Sequence, residues 1–570
     1  MFAIIFTTSI LIALGVHFIT KSQQHPLKRF PGPLLAKCTT WYRAYFELVM
    51  NGGWVRQLEK LHAVYGPIVR VGPNELHFGD PRAYNEIHAP GSRFHKDSAL
   101  YSIFGNKAGS VFTIPDPQDA AVVRNILAPY LSRRAIIPRA AIIQEKVVEF
   151  VSRLTTHTYE SGTAVNLEHA LPSVALEVLT SLIFVRPFNV LSAPGFDHPF
   201  LQRSKNIWIK KYLPNINNPV LLTLMRFLSD VDQLAKIFAD QLKLVRADLD
   251  LALKGVSDHH DENLNTTEFL GESENDATHI ATDGPLYPYL LQKIHSQIQK
   301  PATSVHAVQR LQRLLKHRRL IGEGFNLRFA GTDTIANTCV VGVRCLLSNK
   351  DVREQLVKEL DEAWPKDGSD IAFEDLEKLP YLVLNFLQLS QPGSDYPPIL
   401  FSQTVVIKES LRLSHGAVSP LGRVVGPGDA VIMGETIPTG TIVGISSTFV
   451  HLNPELFPEP TKFNPGRWIK APPRSGDIDL EKTDFPSTFA EINAEKYLVS
   501  YSRGPRSCIG IHVAWCELYI IFGFLFRKLE FVPQAELDPS QPLRFDDFFL
   551  PTFTDDPLVV FVRERRTSSD

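Results

Sequence analysis

Apolar residues recur at spacings of three and four through two long stretches of the chain, from about residue 117 to 250 and from about 305 to 364. That period places them on one face of a helix, so a large part of the chain must bury amphipathic helices against one another. Strand-like runs are short by comparison. Ile68-Val69-Arg70-Val71 is ended by Gly72-Pro73, and Leu558-Val559-Val560-Phe561-Val562 lies in a tail, 530 to 563, with several such runs. No internal repeat is present. The expectation is a mainly α fold with small β-sheets. With 570 residues, 44% of them hydrophobic, the chain can bury a large core. Residues 255 to 285 are rich in Asp, Glu, Asn, Thr and His and read as a surface loop.

The formal net charge is −2, and no basic repeat interleaved with aromatics occurs. Nucleic acid is therefore not an expected partner. The five cysteines (Cys38, Cys339, Cys345, Cys508, Cys516) are scattered, odd in number and form no CxxC pair. That speaks against a disulfide framework and a structural zinc site, and four of them read as small buried apolar residues.

Phe2 to Ile19 is apolar apart from Thr7, Thr8, Ser9 and His17. As a helix it would reach about 27 Å, enough to span a bilayer. No Lys or Arg precedes it, whereas Lys21, Lys28 and Arg29 follow, which keeps the body cytosolic. A cleaved signal peptide is the rival reading, but a basic leader and a small-residue cleavage site are missing. A cytosolic body would leave the sequon Asn265-Thr266-Thr267 unglycosylated. The organisation expected is an anchor over 1–20, a basic and Pro-rich hinge over 21–34 around Pro31-Gly32-Pro33, and a globular body over 35–570.

Four motifs carry chemistry. In Tyr501-Ser502-Arg503-Gly504-Pro505-Arg506-Ser507-Cys508-Ile509-Gly510, two glycines and a proline let backbone approach a flat ligand. A turn running into a helix aims N–H groups at the Cys508 sulfur, and Arg506 can pair with an anionic edge of that ligand. A Gly-rich turn holding a core cysteine is the bland alternative. Ala330-Gly331-Thr332-Asp333-Thr334 sits within a helical stretch. Its glycine costs about 1 kcal/mol there, so a reason is required. Room for a small ligand beside an acid and an alcohol that deliver protons is one reason, and a plain helix kink is the other. Glu409-Ser410-Leu411-Arg412 and Phe463-Asn464-Pro465-Gly466-Arg467-Trp468 are unremarkable singly.

In this order the four motifs resemble the cytochrome P450 family, and the resemblance runs from the N-terminal segment to the C-terminus. Tyr65-Gly66-Pro67-Ile68-Val69-Arg70 and Phe457-Pro458-Glu459-Pro460 look like its fungal secondary-metabolism branch, near the trichodiene-oxygenase-like enzymes. The resemblance implies heme b with Cys508 as axial ligand in a loop shaped by Tyr501, Gly504 and Gly510. It implies Arg506, Arg423 and Arg124 as propionate partners, and Glu409, Arg412 and Arg467 as a buried charge network. Asp333 and Thr334 would relay protons. It implies insertion of one oxygen atom of O2 into an apolar small molecule. NADPH-cytochrome P450 reductase would supply electrons, with cytochrome b5 as a further donor. The protein would be single-pass in the endoplasmic reticulum with a cytosolic catalytic domain. Phe329, Ala417 to Leu421 and Phe548-Phe549-Leu550 are candidate pocket walls.

Three departures stand out. Tyr501 replaces the usual Phe. Ala120 stands where a Trp or His usually helps Arg124. Between Leu379-Pro380-Tyr381-Leu382 and Thr404, 21 residues intervene, Val383 to Gln403, including Pro392, Gly393, Pro397 and Pro398. Valine codons begin with GT, a glutamine codon can be CAG, and Ser394-Asp395 can encode a branch-like string, so the segment reads as a retained intron. A true surface loop is the other reading. The stretch 471–493 is also longer than expected. The alternatives to a monooxygenase are an O2-independent isomerase or peroxide-using relative, which the Asp333-Thr334 pair disfavours, and a non-catalytic heme-binding relic or misfolded splice product.

Overall fold

The computed structural model describes residues 24–104, 109–198, 201, 242–253, 284–298, 305–364, 369–378, 380–383, 399–468 and 494–565. The long helix His317–Ser348 is the spine of the helical layer. It packs on Leu167–Ile183, on Gln403–Leu413 and on Ile511–Lys528. Two glycines set how closely these helices approach. A Cβ on Gly331 would lie 2.8 Å from Leu179 Cδ2, and one on Gly342 would lie 2.4 Å from Phe522 Cζ. The Leu167–Ile183 helix is buried nearly all round, as its uniformly apolar sequence requires. Pro117–Leu127, Ala140–Ser161, Leu286–Ile298, Val305–Leu314 and Lys350–Ala363 complete the layer.

The largest sheet has five strands in the order Ile68–Gly72, Glu75–Phe78, Ile442–Gly444, Arg423–Val424, His95–Lys96. Glu75–Phe78 and Ile442–Gly444 run parallel, and the other neighbours are antiparallel. At its edge Lys96 faces Arg423 and His95 faces Val424. A three-stranded sheet joins Leu529–Pro533, Val559–Glu564 and Val165–Asn166. The hairpin Phe545–Phe548/Leu550–Phe553 turns through a single residue, Phe549. The expected mainly α architecture with small sheets holds, and the expected strand at 68–71 and tail strands are present.

Pro31 accepts a hydrogen bond from the Arg70 N–H, and a Cβ on Gly32 (φ +155°) would strike the Arg70 carbonyl. The Pro31-Gly32-Pro33 segment therefore lies against the sheet edge. Among the described residues no helix is long and apolar enough to cross a membrane. The run Phe2 to Ile19, nearly all of the polar loop at 255–285, the interior of the 383–403 segment and all of 471–493 lie outside the described residues. The flanks of the 383–403 segment are described. Pro380–Val383 pairs antiparallel with Ile399–Ser402, and the Gln403–Leu413 helix begins immediately afterwards.

Candidate cofactor site

The loop before the Ile511–Lys528 helix is closed by the Cys508 N–H donating to the Tyr501 carbonyl at 2.8 Å. Gly504 has φ +66°, and a Cβ there would lie 2.4 Å from the His88 carbonyl oxygen, so only glycine fits. Gly510 is different. A Cβ on it would meet nothing within 4 Å, although it caps the helix two residues after Cys508. Burial pushes the Cys508 thiol up, while the Gly510 N–H and the Arg124 charge draw it down. By surface area Cys508 is nevertheless exposed. A side chain set deep in a protein stays exposed where it borders an internal space, and an exposed cysteine is open to a ligand. The sequence expected several N–H groups at the sulfur, and one, that of Gly510, is found there.

On the long helix, Ala330 is exposed midway along a run of buried and partly buried residues. Thr334 lies one turn further and donates its hydroxyl to the Ala330 carbonyl at 2.6 Å. Asp333 is half-buried and draws on Arg328, whose burial lowers its pKa to about 10. The absent side chain of Gly331 accommodates Leu179 of a neighbouring helix, so the room expected beside this glycine is filled by protein.

Arg124, Arg423 and Arg506 come together with a fourth cation that the sequence reading missed, Lys96. Arg506 donates to the carbonyls of Val111, Ile114 and Pro115. Arg124 donates to the Ser507 carbonyl at 2.8 Å and to the Ser507 hydroxyl at 3.4 Å. Arg423 donates to the Tyr101 hydroxyl at 2.8 Å and to the Leu421 and Gly422 carbonyls. Lys96 donates to the Phe112 carbonyl at 2.7 Å and lies over the Tyr101 and Phe112 rings. Burial, then Arg506, Arg423 and Arg124, hold the Lys96 ammonium well below its ordinary pKa. Burial, then Arg423 and Lys96, do the same to His88, whose Nε2 has no partner among the described residues. None of the four cations forms an ion pair among the described residues. Like charges directly opposite across a sheet, as Lys96 and Arg423 are, destabilise it. The cluster therefore suits a ligand carrying buried negative charge. An exposed Cys508 in a glycine-closed loop and a cationic cluster without ion pairs among the described residues fit heme b, whose iron Cys508 would hold and whose carboxylates Arg124, Arg423, Arg506 and Lys96 would pair with.

Behind the loop stands a saturated charge network. Glu409 accepts from Arg412 Nη2 at 2.8 Å and Nε at 2.9 Å, from Arg467 Nε at 3.0 Å, from Trp468 Nε1 at 2.9 Å and from the Asn464 N–H at 2.9 Å. Burial alone would raise the Glu409 carboxyl, but Arg412 and Arg467 hold it below its ordinary value. Arg412 also donates to the carbonyls of His451, Pro460 and Lys462. The network reaches the loop through Ser500, whose hydroxyl donates to the Leu411 carbonyl.

The family model described as Cytochrome P450 matches residues 41–384 and 403–556. It leaves residues 385–402 between its two segments. The chain is 31% identical over 524 residues to the conidiogenone synthase of Penicillium rubens, covering 90% of this chain and 89% of the relative. It is 28% identical over 541 residues to the monooxygenase macH of Penicillium terrestre (93% and 91% covered). Against the monooxygenase TRI4 of Fusarium sporotrichioides identity is 28% over 511 residues, with 89% and 84% covered.

Proposed function

The chain belongs to the cytochrome P450 family, and we propose that it is a heme-thiolate monooxygenase of fungal secondary metabolism that hydroxylates or otherwise oxygenates an apolar small molecule. One observation carries this reading. Two buried cations, Lys96 and Arg423, and two partly buried ones, Arg124 and Arg506, gather beside the loop of the exposed Cys508 and form no ion pair among the described residues. Heme b held there supplies the one-electron and O2 chemistry that side chains lack. Balance requires one O2, one NADPH and one proton for each substrate hydroxylated, with water and NADP+ released.

The protein's own parts can then be assigned. Cys508 would hold the iron as a thiolate, favoured by the Gly510 N–H and the Arg124 charge. While its hydroxyl is turned back to Ala330, the Thr334 oxygen can accept a hydrogen bond from solvent or from the Asp333 carboxyl, so that a proton it gives up is replaced in the same step. Rotating that hydroxyl into the chamber delivers a proton. The walls around Phe104, Phe329 and Phe549 exclude water and bind apolar surface. Electrons arrive from NADPH-cytochrome P450 reductase. Phe2 to Ile19 anchors the protein in the endoplasmic reticulum membrane with its body in the cytosol, a reading supported by the apolar run and the basic residues that follow it. Residues 383–403 are a retained intron, a reading supported by the splice-like codons and by the gap between the two family-model segments.

A reduced, CO-treated sample tests the core of the proposal. The shifted Soret band of thiolate-ligated heme is expected and should vanish in Cys508→Ser. Its absence from the wild-type protein would overturn the assignment. Thr334→Ala should keep that band but consume NADPH several-fold faster than it forms product.

A further inference from the structure

Four phenylalanine rings meet beside the exposed face of the long helix. Phe104 touches Phe549, Phe112 and Phe329, with ring centroids 4.6, 5.3 and 5.8 Å apart. Phe329 immediately precedes Ala330, and the same cluster includes Tyr101, the partner of Arg423. The rings thus fill the angle between the Thr334 helix and the cationic rim. Three of them sit on ordinary backbone. Phe549 has φ +78°, which a bulky residue adopts only when its surroundings force it.

Asp547 is the group that forces it. Its Oδ1 accepts from the Phe549 N–H at 3.2 Å and from the Ser419 hydroxyl at 2.5 Å. The Phe549 carbonyl accepts in turn from the N–H groups of Val418 at 2.9 Å and Ser419 at 3.3 Å. Behind the carboxyl, the Asp547 N–H donates to the Gly52 carbonyl at 2.7 Å, and a Cβ on Gly52 would strike the Asp547 backbone. On the other strand, Asn337 of the long helix donates to the Pro551 carbonyl at 2.8 Å. The hairpin tip is therefore fastened to three separate elements, and Asp547 is 1% exposed at the junction.

We propose that Asp547 is a positioning residue for substrate selection, which with Ser419 locks the strained Phe549 turn so that its ring closes an aromatic wall for a flat, apolar substrate. The inference rests on the heme-chamber reading above. Asp547 touches no reacting atom; it acts through Phe549 alone.

Two heme-ligating probes test it, imidazole and 4-phenylimidazole, titrated into the full-length, heme-loaded protein by their Soret shift. Imidazole reports the iron, and the added phenyl group reports the wall. Wild type should bind 4-phenylimidazole the tighter. Asp547→Ala and Ser419→Ala should each reduce that preference by roughly three-fold or more while imidazole affinity holds. Asp547→Asn keeps an acceptor oxygen and should retain most of the preference. In the Phe549→Gly background, adding Asp547→Ala should change nothing further. The proposal falls if the preference survives in both alanine variants, if Asp547→Asn loses as much as Asp547→Ala, or if the two losses add independently of Phe549. Should Asp547→Ala fail to fold, Ser419→Ala decides the matter. Absence of any Soret shift with imidazole in wild type overturns the heme reading instead.

Discussion

Lys96 is 3% exposed, donates to one carbonyl and stands across the strand pair from Arg423. In a protein without its cofactor this is a costly arrangement, because an unneutralised buried charge has lost its hydration. With heme propionates in reach the same ammonium gains a charge-assisted partner. Lys96→Met therefore has opposite consequences in the two states. The heme-free protein should gain about 1 kcal/mol of stability, and heme binding should weaken by about 1 to 3 kcal/mol. Urea melts of the heme-free form and heme transfer to an acceptor protein check the two signs, and a loss of stability in the heme-free form would sink the argument. Arg506 is legible in the sequence and Lys96 is not. Arg506 stands two residues from Cys508 within one local turn, whereas Lys96 lies in a two-residue strand with no period or motif of its own. Only the register against Arg423 brings it to the rim.

At the scale of elements, the Gln403–Leu413 helix carries the largest consequence for its length. Glu409 and Arg412 are 0% exposed, and every oxygen of the carboxylate is occupied. Removing one partner strands the rest, so Glu409→Gln should cost about 3 to 5 kcal/mol and prevent heme loading, as a missing CO-difference band would register. This helix follows directly on the Pro380–Val383/Ile399–Ser402 hairpin. Deleting 383–403 joins Leu382 to Thr404 and leaves the Glu409 contacts untouched, so the shortened chain should load heme at least as well as the full chain. Transcript sequencing gives the independent check, and reads that mostly keep these codons would refute the intron. Sequence made this helix and the 317–348 helix legible because each combines a period with a motif. Gly331 shows the limit. Its place in the motif pointed to a ligand, but which neighbour approaches a helical glycine is set by the packing of another helix, here through Leu179.

The whole molecule buries titratable groups of both kinds, and their opposition shapes its pH stability. Burial pushes Glu323 up to about 8 and Glu359 up to about 9, from an ordinary 4.5. Both are protonated in the fold at neutral pH and ionised once unfolded. Their contribution is complete below pH 4.5 and is lost as pH rises toward 8 or 9. Burial depresses His77, His415 and His451 from an ordinary 6.5, His415 to about 3. These stay neutral in the fold and bind protons once unfolded, so their contribution is complete above pH 6.5 and is lost on acidification. Between pH 4.5 and 6.5 the two sets oppose one another. Above 6.5 these histidines no longer contribute, and Glu323 and Glu359 each remove about 1.4 kcal/mol per pH unit. Thermal melts of the heme-loaded protein should therefore decline from about pH 6.5 to 8. Glu323→Gln, which carries no proton to lose, should flatten that decline by one group's share. The Gln amide can still accept from the Val111 N–H that Glu323 holds at 2.6 Å, so the change isolates the charge. A melting temperature that climbs from pH 6.5 to 8, or a Glu323→Gln profile parallel to wild type, would refute the assignment of neutral buried carboxyls.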